Sequence, residues 1–596
     1  MILNRKTNLS LFKYLIFTAF IFGANTILAQ EDSTEIDTEK LIIVKAYSPT
    51  VSDAFKVKQK PTLNDSSLLQ KKKVSYDIFS FPVASTFTPT KGRASGIQRK
   101  ALPRTYQNYA SLGVGNYGNV NAQFFSTVNL NNTDELSFEL LHNSSQGGID
   151  EVQLDDKFYN TQLGVDYRAQ KSNFSWTANF GVEHQIYNWY GVPESPFIEN
   201  GMLQQNQFDD FIGGVDPKHS FYAVNLGAGI DMESGILDDA DLQYRRFLDN
   251  NSSGENHVVI KPHFQFQTGM EVIDADFSLD FVNGSFGDYI LNNEYNLNYS
   301  FFNIGFAPSI KINRDELALK LGGKVVYSID GEYDQNQFYV YPKISASYRL
   351  AGDYFTLYAG ANGDLEQNTY YSFAQKNPFL SPTLYISPTN KQYNVYAGAK
   401  GKFTEKLAYD VKASYKSEGN KALFTHNRSG TTYGELENYE HFNSFFVLYD
   451  DIKTIGISGE LNYQATEKLA LRLGAKYRSF DTENQEEAWN IPNWEASLNA
   501  DFKISEKWFA GASVFAKGER KDIIYFSTEN QASNQIGQVS LDAFVDANLR
   551  VGYKINSRLS LFVRGNNLIG ENYERWYGYP VQGIQAMGGA SYQFNW

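Results

Sequence analysis

The stretch "GIQAMGGASYQFNW", residues 583–596, alternates with a period of two. Ile584, Ala586, Gly588, Ala590, Tyr592 and Phe594 fall on one side. Gln585, Met587, Gly589, Ser591, Gln593 and Asn595 fall on the other. That period describes a strand with one apolar and one wet face. The chain stops on Trp596, inside this strand-like run, where a soluble domain more often ends in a polar tail. A strand that closes a barrel gives a reason to stop there, because lipid leaves no place for an unpaired sheet edge.

The alternation continues upstream. Ala543, Val545, Ala547, Leu549, Val551 and Tyr553 interleave with Phe544, Asp546, Asn548, Arg550, Gly552 and Lys554. Leu469, Leu471, Leu473, Ala475 and Tyr477 interleave with Ala470, Arg472, Gly474, Lys476 and Arg478. Short turns such as "NRDE" (313–316), "TEK" (404–406 and 466–468), "SEK" (505–507) and "NSR" (556–558) alternate with long loops near 189–218, 370–392, 425–442, 481–490 and 524–540. Short turns on one end and long loops on the other are the pattern of a bacterial transmembrane β-barrel. The run from about Tyr109 to Trp596 counts to about 22 strands, so the fold expected is an all-β antiparallel transmembrane barrel over 105–596.

Composition agrees. Aromatic residues make up 15% of 596, with 40 Tyr and 44 Phe, against a polar mean hydropathy of -0.42. The absence of cysteine excludes disulfides and thiolate metal sites. Residues 1–29 read as a signal peptide: Arg5, Lys6 and Lys13 lead the apolar run 14–24, and Ala29 precedes the expected cut. Segment 30–104 is different. It is rich in Ser, Thr, Lys and Pro and reads as a mostly irregular periplasmic or lumenal piece. From 31 to 104 it holds 13 Lys and Arg against 8 Asp and Glu, while the chain as a whole is at -14. A basic segment therefore precedes a strongly acidic barrel, and opposite charge favours its docking in the lumen. The barrel expectation places the protein in an outer membrane of the Gram-negative type, in contact with its lipid.

Few residues suggest other chemistry. "GVGNYG" (113–118) has the glycine spacing of a dinucleotide loop, but an alternating strand follows it where a helix would be needed. The seven histidines are scattered, and His257 and His263 lie about 20 Å apart along a strand, too far for one metal. Asp155 with Asp156, Asp209 with Asp210, and Asp238, Asp239 and Asp241 read as solvated loop clusters. Trp189 with Tyr190 and Trp576 with Tyr577 suit a membrane-interface girdle. An acidic pI of 5.2 disfavours nucleic acid. No catalytic constellation, metal site or cofactor is expected, and the chain is not read as an enzyme.

The segment "RGNNLIGENYERWYGYPVQG" (564–583) resembles the last strands and outer loop of TonB-dependent outer-membrane receptors. The likeness is carried by Asn566, Asn567, Leu568, Tyr573 and Glu574. "QKNPFLSPTLYISPTNKQYNVYAGAKG" (375–401) resembles the family's Asn-Pro-rich outer loop. Tyr592, Phe594 and Trp596 resemble its signal to the barrel-assembly machinery, and Leu41, Ile42, Ile43, Val44, Lys45 and Ala46 resemble the box that pairs with TonB as an added strand. The family's plug exceeds a hundred residues, whereas about 75 stand here between signal and barrel, so the plug is expected to be missing or reduced. The resemblance implies solute transport, gated by the N-terminal segment or a partner. The other reading is a structural barrel subunit of a larger assembly, bound to a surface lipoprotein or another barrel.

Overall fold

A computed structural model describes residues 106–194, 204–269, 271–287, 297–427, 436–526 and 535–596. Among these, 22 strands form one antiparallel sheet, each paired to its neighbour in sequence order. The sheet closes on itself. Asn108–Gly115 pairs with Val120–Asn129 on one side and with the final strand, Gln585–Phe594, on the other. The seam runs from Asn108 opposite Phe594 to Gly115 opposite Met587. The signal peptide, segment 30–104 and the box-like residues 41–46 lie outside the described residues.

The sequence turns fall where expected. Strands end and begin at Arg314 and Leu317, Thr404 and Leu407, Thr466 and Leu469, and Lys554 and Leu559. At the first of these, Asp315 takes φ +48° in a two-residue hairpin, a left-handed position that aspartate tolerates. The opposite end carries the long connections. They hold the helices α1 (Gln205–Gly213) and α2 (Tyr370–Lys376) and two small hairpins, Arg520–Phe526 with Gln535–Leu541 and Glu574–Trp576 with Tyr579–Pro580.

Alternation sorts the two faces. Val411, Ile455, Ile457, Leu473, Leu498 and Val563 are exposed on the outside and form the lipid belt. Their neighbours Lys412, Gly456, Ser458, Arg472, Ser497 and Arg564 face the lumen. The longest strand, Phe445–Thr466, has 22 residues, about 70 Å of chain. Tilted at about 45°, it stands some 50 Å tall against an apolar band of about 25 Å. The sheet therefore rises well above the membrane and carries its long loops there.

The aromatic girdle is not where the sequence placed it. Trp189 is 1% exposed and Tyr579 fully buried, both in an apolar cluster inside the outer mouth, and Trp576 packs against that cluster. Their loops turn inward, so the rings meet protein rather than lipid. The inner interface carries outward-facing pairs instead: Tyr167 with Trp176, Phe403 with Tyr409, and Trp508 with Tyr553.

A cation placed on the belt should destabilise the barrel by about 2–4 kcal/mol, the cost of Arg near the bilayer midplane. Leu473→Arg should therefore unfold at lower urea in lipid vesicles, followed by heat-modifiable gel migration. Ser497→Arg, on the lumen face of the adjoining strand, should unfold close to the wild-type midpoint.

Candidate functional site: a charged lumen closed at its outer mouth

The loop 367–388 enters the mouth rather than extending outward. Thr369 opens α2 as its cap: its hydroxyl accepts from Ser372 N (3.0 Å), and Thr369 N donates to Ser372 Oγ (3.1 Å). That orients the helix N-terminus toward the barrel wall. There Glu255, fully buried, receives it. Tyr370 N donates to Glu255 Oε2 (2.6 Å), Tyr371 N to Oε1 (3.3 Å), and the Tyr299 hydroxyl to Oε2 (2.6 Å). A carboxylate on free helix N–H groups is well placed electrostatically.

The neighbouring strand adds a second hold. The Tyr370 hydroxyl donates to Asp249 Oδ2 (2.8 Å), and burial pushes that phenol well above its usual pKa. The Tyr371 hydroxyl donates to Glu183 (3.1 Å), and the Arg245 guanidinium lies 3.8 Å from the centre of its ring. Phe221, Phe247, Phe286, Phe373, Leu380 and Phe445 pack around these polar anchors. The tail of the loop is tied as well. Ser381 N donates to Phe445 O (2.8 Å), and Trp189 Nε1 donates to Leu380 O (3.3 Å). Phe379 stacks on Tyr579 at 3.8 Å between ring centres.

The receptor-like residues of the last loop serve this closure. Asn567, at φ +47°, donates from Nδ2 to Glu571 O (2.9 Å) and Gln582 O (3.0 Å). The Tyr573 hydroxyl donates to Asp546 Oδ2 (2.9 Å), Glu574 Oε1 accepts from Gly578 N (3.2 Å), and Asn566 Nδ2 donates to Gln585 Oε1 (3.2 Å). Leu568 is exposed. Arg520 of the larger hairpin donates to Glu574 O (2.6 Å) and Arg575 O (2.5 Å), joining two loops. At the far end, Tyr592 stacks on Phe594, and Trp596 meets Phe594 edge-on and donates to Ser126 Oγ (3.1 Å).

The lumen differs from the expectation of uniform acidity. Asp239 and Asp241 lie on the strand Leu237–Asp249 and not in a loop, and Asp209 and Asp210 lie on α1. Asp155 and Asp156 do lie in a loop, where Asp156 accepts from Gly148 N (3.0 Å) and Ile149 N (2.8 Å). His257 and His263 share the lumen face, each beside an aspartate: Asp280 at 2.8 Å and Asp276 at 2.5 Å. Asp238, Asp239 and His263 place ligand atoms within 4.8 Å of one another, a grouping of two strands that spacing could not reveal. Past residue 389 the wall turns basic, with Lys400, Lys412, Lys476, Lys517, Arg550 and Lys554 on the lumen face. A cavity of about 740 Å3 opens in that wall, lined by Lys412, Arg472, Lys476 and Lys517 together with the carboxylates Asp410, Glu460 and Glu495, of which Glu460 pairs with Arg472 (3.8 Å) and Glu495 with Lys476 (3.6 Å).

No family model and no curated protein matches this chain. Solved structures do. The ferripyoverdine receptor of Pseudomonas aeruginosa, bound to ferripyoverdine, aligns with TM-score 0.59 and 14% identity over 83% of this chain and 73% of that one. The siderophore receptor PirA of Acinetobacter baumannii aligns with TM-score 0.59 and 11% identity over 82% and 81%. The copper transporter OprC aligns with TM-score 0.55 and 14% identity over 83% and 81%. The chain carries the barrel fold of the TonB-dependent receptors. The likeness to those receptors lies in the wall of 22 strands.

Two outcomes test the closure. Glu255→Ala leaves the Tyr299 hydroxyl and two helix N–H groups without their acceptor, at about 1–3 kcal/mol for each buried donor. Amide exchange across 369–376 should then accelerate at least tenfold while the strand amides stay protected. The second outcome concerns Asp522, fully buried in the larger hairpin, whose carboxyl burial pushes up to about 7. Its Oδ1 accepts from His426 N (3.1 Å) and Ile523 N (2.8 Å). A carboxyl with its folded pKa raised favours the docked hairpin when protonated, and that advantage is lost as pH rises from about 4 to about 7. Exchange in Arg520–Phe526 should be slower at pH 5 than at pH 8, after correction for intrinsic rates. In Asp522→Asn that difference should vanish.

Proposed function

We propose that the protein is an outer-membrane transporter whose outer door is the loop 367–388. The observation that carries this reading is the buried Glu255 holding the start of α2 inside the mouth. The loop's polar anchors sit inside an apolar cluster, and a ligand that competes for those anchors can release it, whereas the strand ladder beneath cannot yield. Below the door lies a lumen with charged walls and a wide cavity, as a solute path requires.

The inner door is the N-terminal segment. Its net positive charge, 13 Lys and Arg against 8 Asp and Glu over 31–104, supports this reading. Residues 41–46, apolar and β-prone in sequence, would then pair with TonB as an added strand. The aromatic residues Tyr592, Phe594 and Trp596 serve recognition by the assembly machinery in this reading.

Conductance in planar bilayers tests both doors, using the full chain, a chain with 370–376 replaced by a Gly-Ser linker, a chain lacking 31–104, and one with both changes. The full chain should be nearly insulating and the double variant should conduct most. An insulating double variant with an intact barrel would overturn the transport reading. If it also retained a lipoprotein or second barrel through purification, the structural-subunit reading would replace it.

A further inference from the structure

The charges of the lumen are sorted by side. In a closed barrel of 22 strands, strands eleven apart face one another, so the strands from Asp134–Ser145 to Glu271–Phe286 oppose those from Thr389–Thr404 to Phe544–Lys554. On the first wall Glu135, Glu139, Asp166, Asp231, Asp239 and Asp241 face inward. None forms an ion pair among the described residues, although His263 approaches Asp239 within 4.8 Å, and Lys261 and Arg168 stand opposite Asp241 and Glu135 on the same face. Facing this wall are Lys400, Lys412, Lys476, Lys517, Arg550 and Lys554. Of these only Lys476 has a carboxylate in reach, Glu495 at 3.6 Å.

Where the walls meet, the charges are paired. Lys311 binds Asp274 (3.1 Å), and Lys343 binds Asp276. The first wall thus carries an excess of acid and the facing wall an excess of base, although the facing wall also holds Asp410, Glu460 and Glu495, and this difference sets up a transverse field in the lumen. A wall of one sign would draw solutes of the opposite sign. Two opposed walls hold a solute that carries both.

We propose that the lumen binds solutes with separated ammonium and carboxylate groups, as an extended oligopeptide has at its ends. The inference rests on the transport reading for its purpose, though not for its geometry. The ammonium lies against the acidic wall around Asp231, Asp239 and Asp241. The carboxylate lies in the cavity of about 740 Å3 at Lys412, Lys476 and Lys517. Strand spacing and tilt put opposing backbones about 40 Å apart, and inward side chains leave roughly 25 Å. An extended peptide of about six to eight residues spans that gap.

The test is equilibrium dialysis of a labelled Gly/Ala hexapeptide against the detergent-purified full chain. Four forms are compared: free ends, N-acetylated, C-amidated, and blocked at both ends. The free form should bind at least tenfold more tightly than the doubly blocked one, with the singly blocked forms between. Replacing Lys412, Lys476 and Lys517 by Gln should reduce each form with a free carboxylate to the affinity of its amidated counterpart, and leave the amidated forms unchanged. Replacing Asp231, Asp239 and Asp241 by Asn should do the same for the free amine. Heat-modifiable migration checks that each barrel is intact. Equal binding of all four forms, binding of none, or a lysine variant that weakens amidated forms equally would overturn the inference. The conductance test uses no peptide, so a conducting barrel indifferent to peptide ends would sink this inference and leave transport standing.

Discussion

Every feature of this protein depends on the pairing of its first strand with its last. In lipid, a backbone N–H or C=O without a partner costs several kcal/mol, so a spanning sheet must close. Here the closure is an eight-residue antiparallel seam, Asn108–Gly115 against Met587–Phe594. Gly113 faces Gly589 within it, and a Cβ on Gly589 would lie 2.3 Å from Leu112 O and 2.5 Å from the Phe562 ring. The missing side chains let the strands approach, and the Phe562 ring covers them from the lumen side.

Once the sheet is closed, alternation divides the chain into a lipid face and a lumen face without further instruction. The lipid face tolerates only apolar residues, and its exposed Leu, Val and Ile are the normal surface of such a barrel. The lumen face is free of that constraint and carries the charge. The outer loops add a third layer. Strands that rise above the membrane hold them close enough to pack on one another, so that the mouth acquires an apolar core with Glu255 and Asp249 buried inside it.

Sequence reasoning succeeded where the signal is local and periodic. The strand alternation, the turns at Arg314–Leu317 and Thr404–Leu407 and the barrel class all follow from residues within a few positions of one another. It failed where meaning depends on what lies across the barrel. Trp189 and Trp576 stand at strand ends and look like interface residues, yet their loops fold inward. Glu255 is one carboxylate among many in the sequence, and nothing near it announces that Tyr370, 115 residues on, will donate to it. The Asp-rich stretch 238–241 looked like a loop because aspartate disfavours strands, but on a lumen face the side chain meets water and the penalty is small.

The sequence by itself determined a barrel of about 22 strands with long outer loops, because backbone satisfaction in lipid converts a period of two into one closed sheet. Only the tertiary structure decided how that barrel is closed above and charged within. Closure joins groups more than a hundred residues apart, and the sorting of acidic and basic walls depends on which strand stands opposite which. Net charge sums over the circumference and erases that distinction, while barrel closure places Asp241 and Lys476 on facing sides of one lumen.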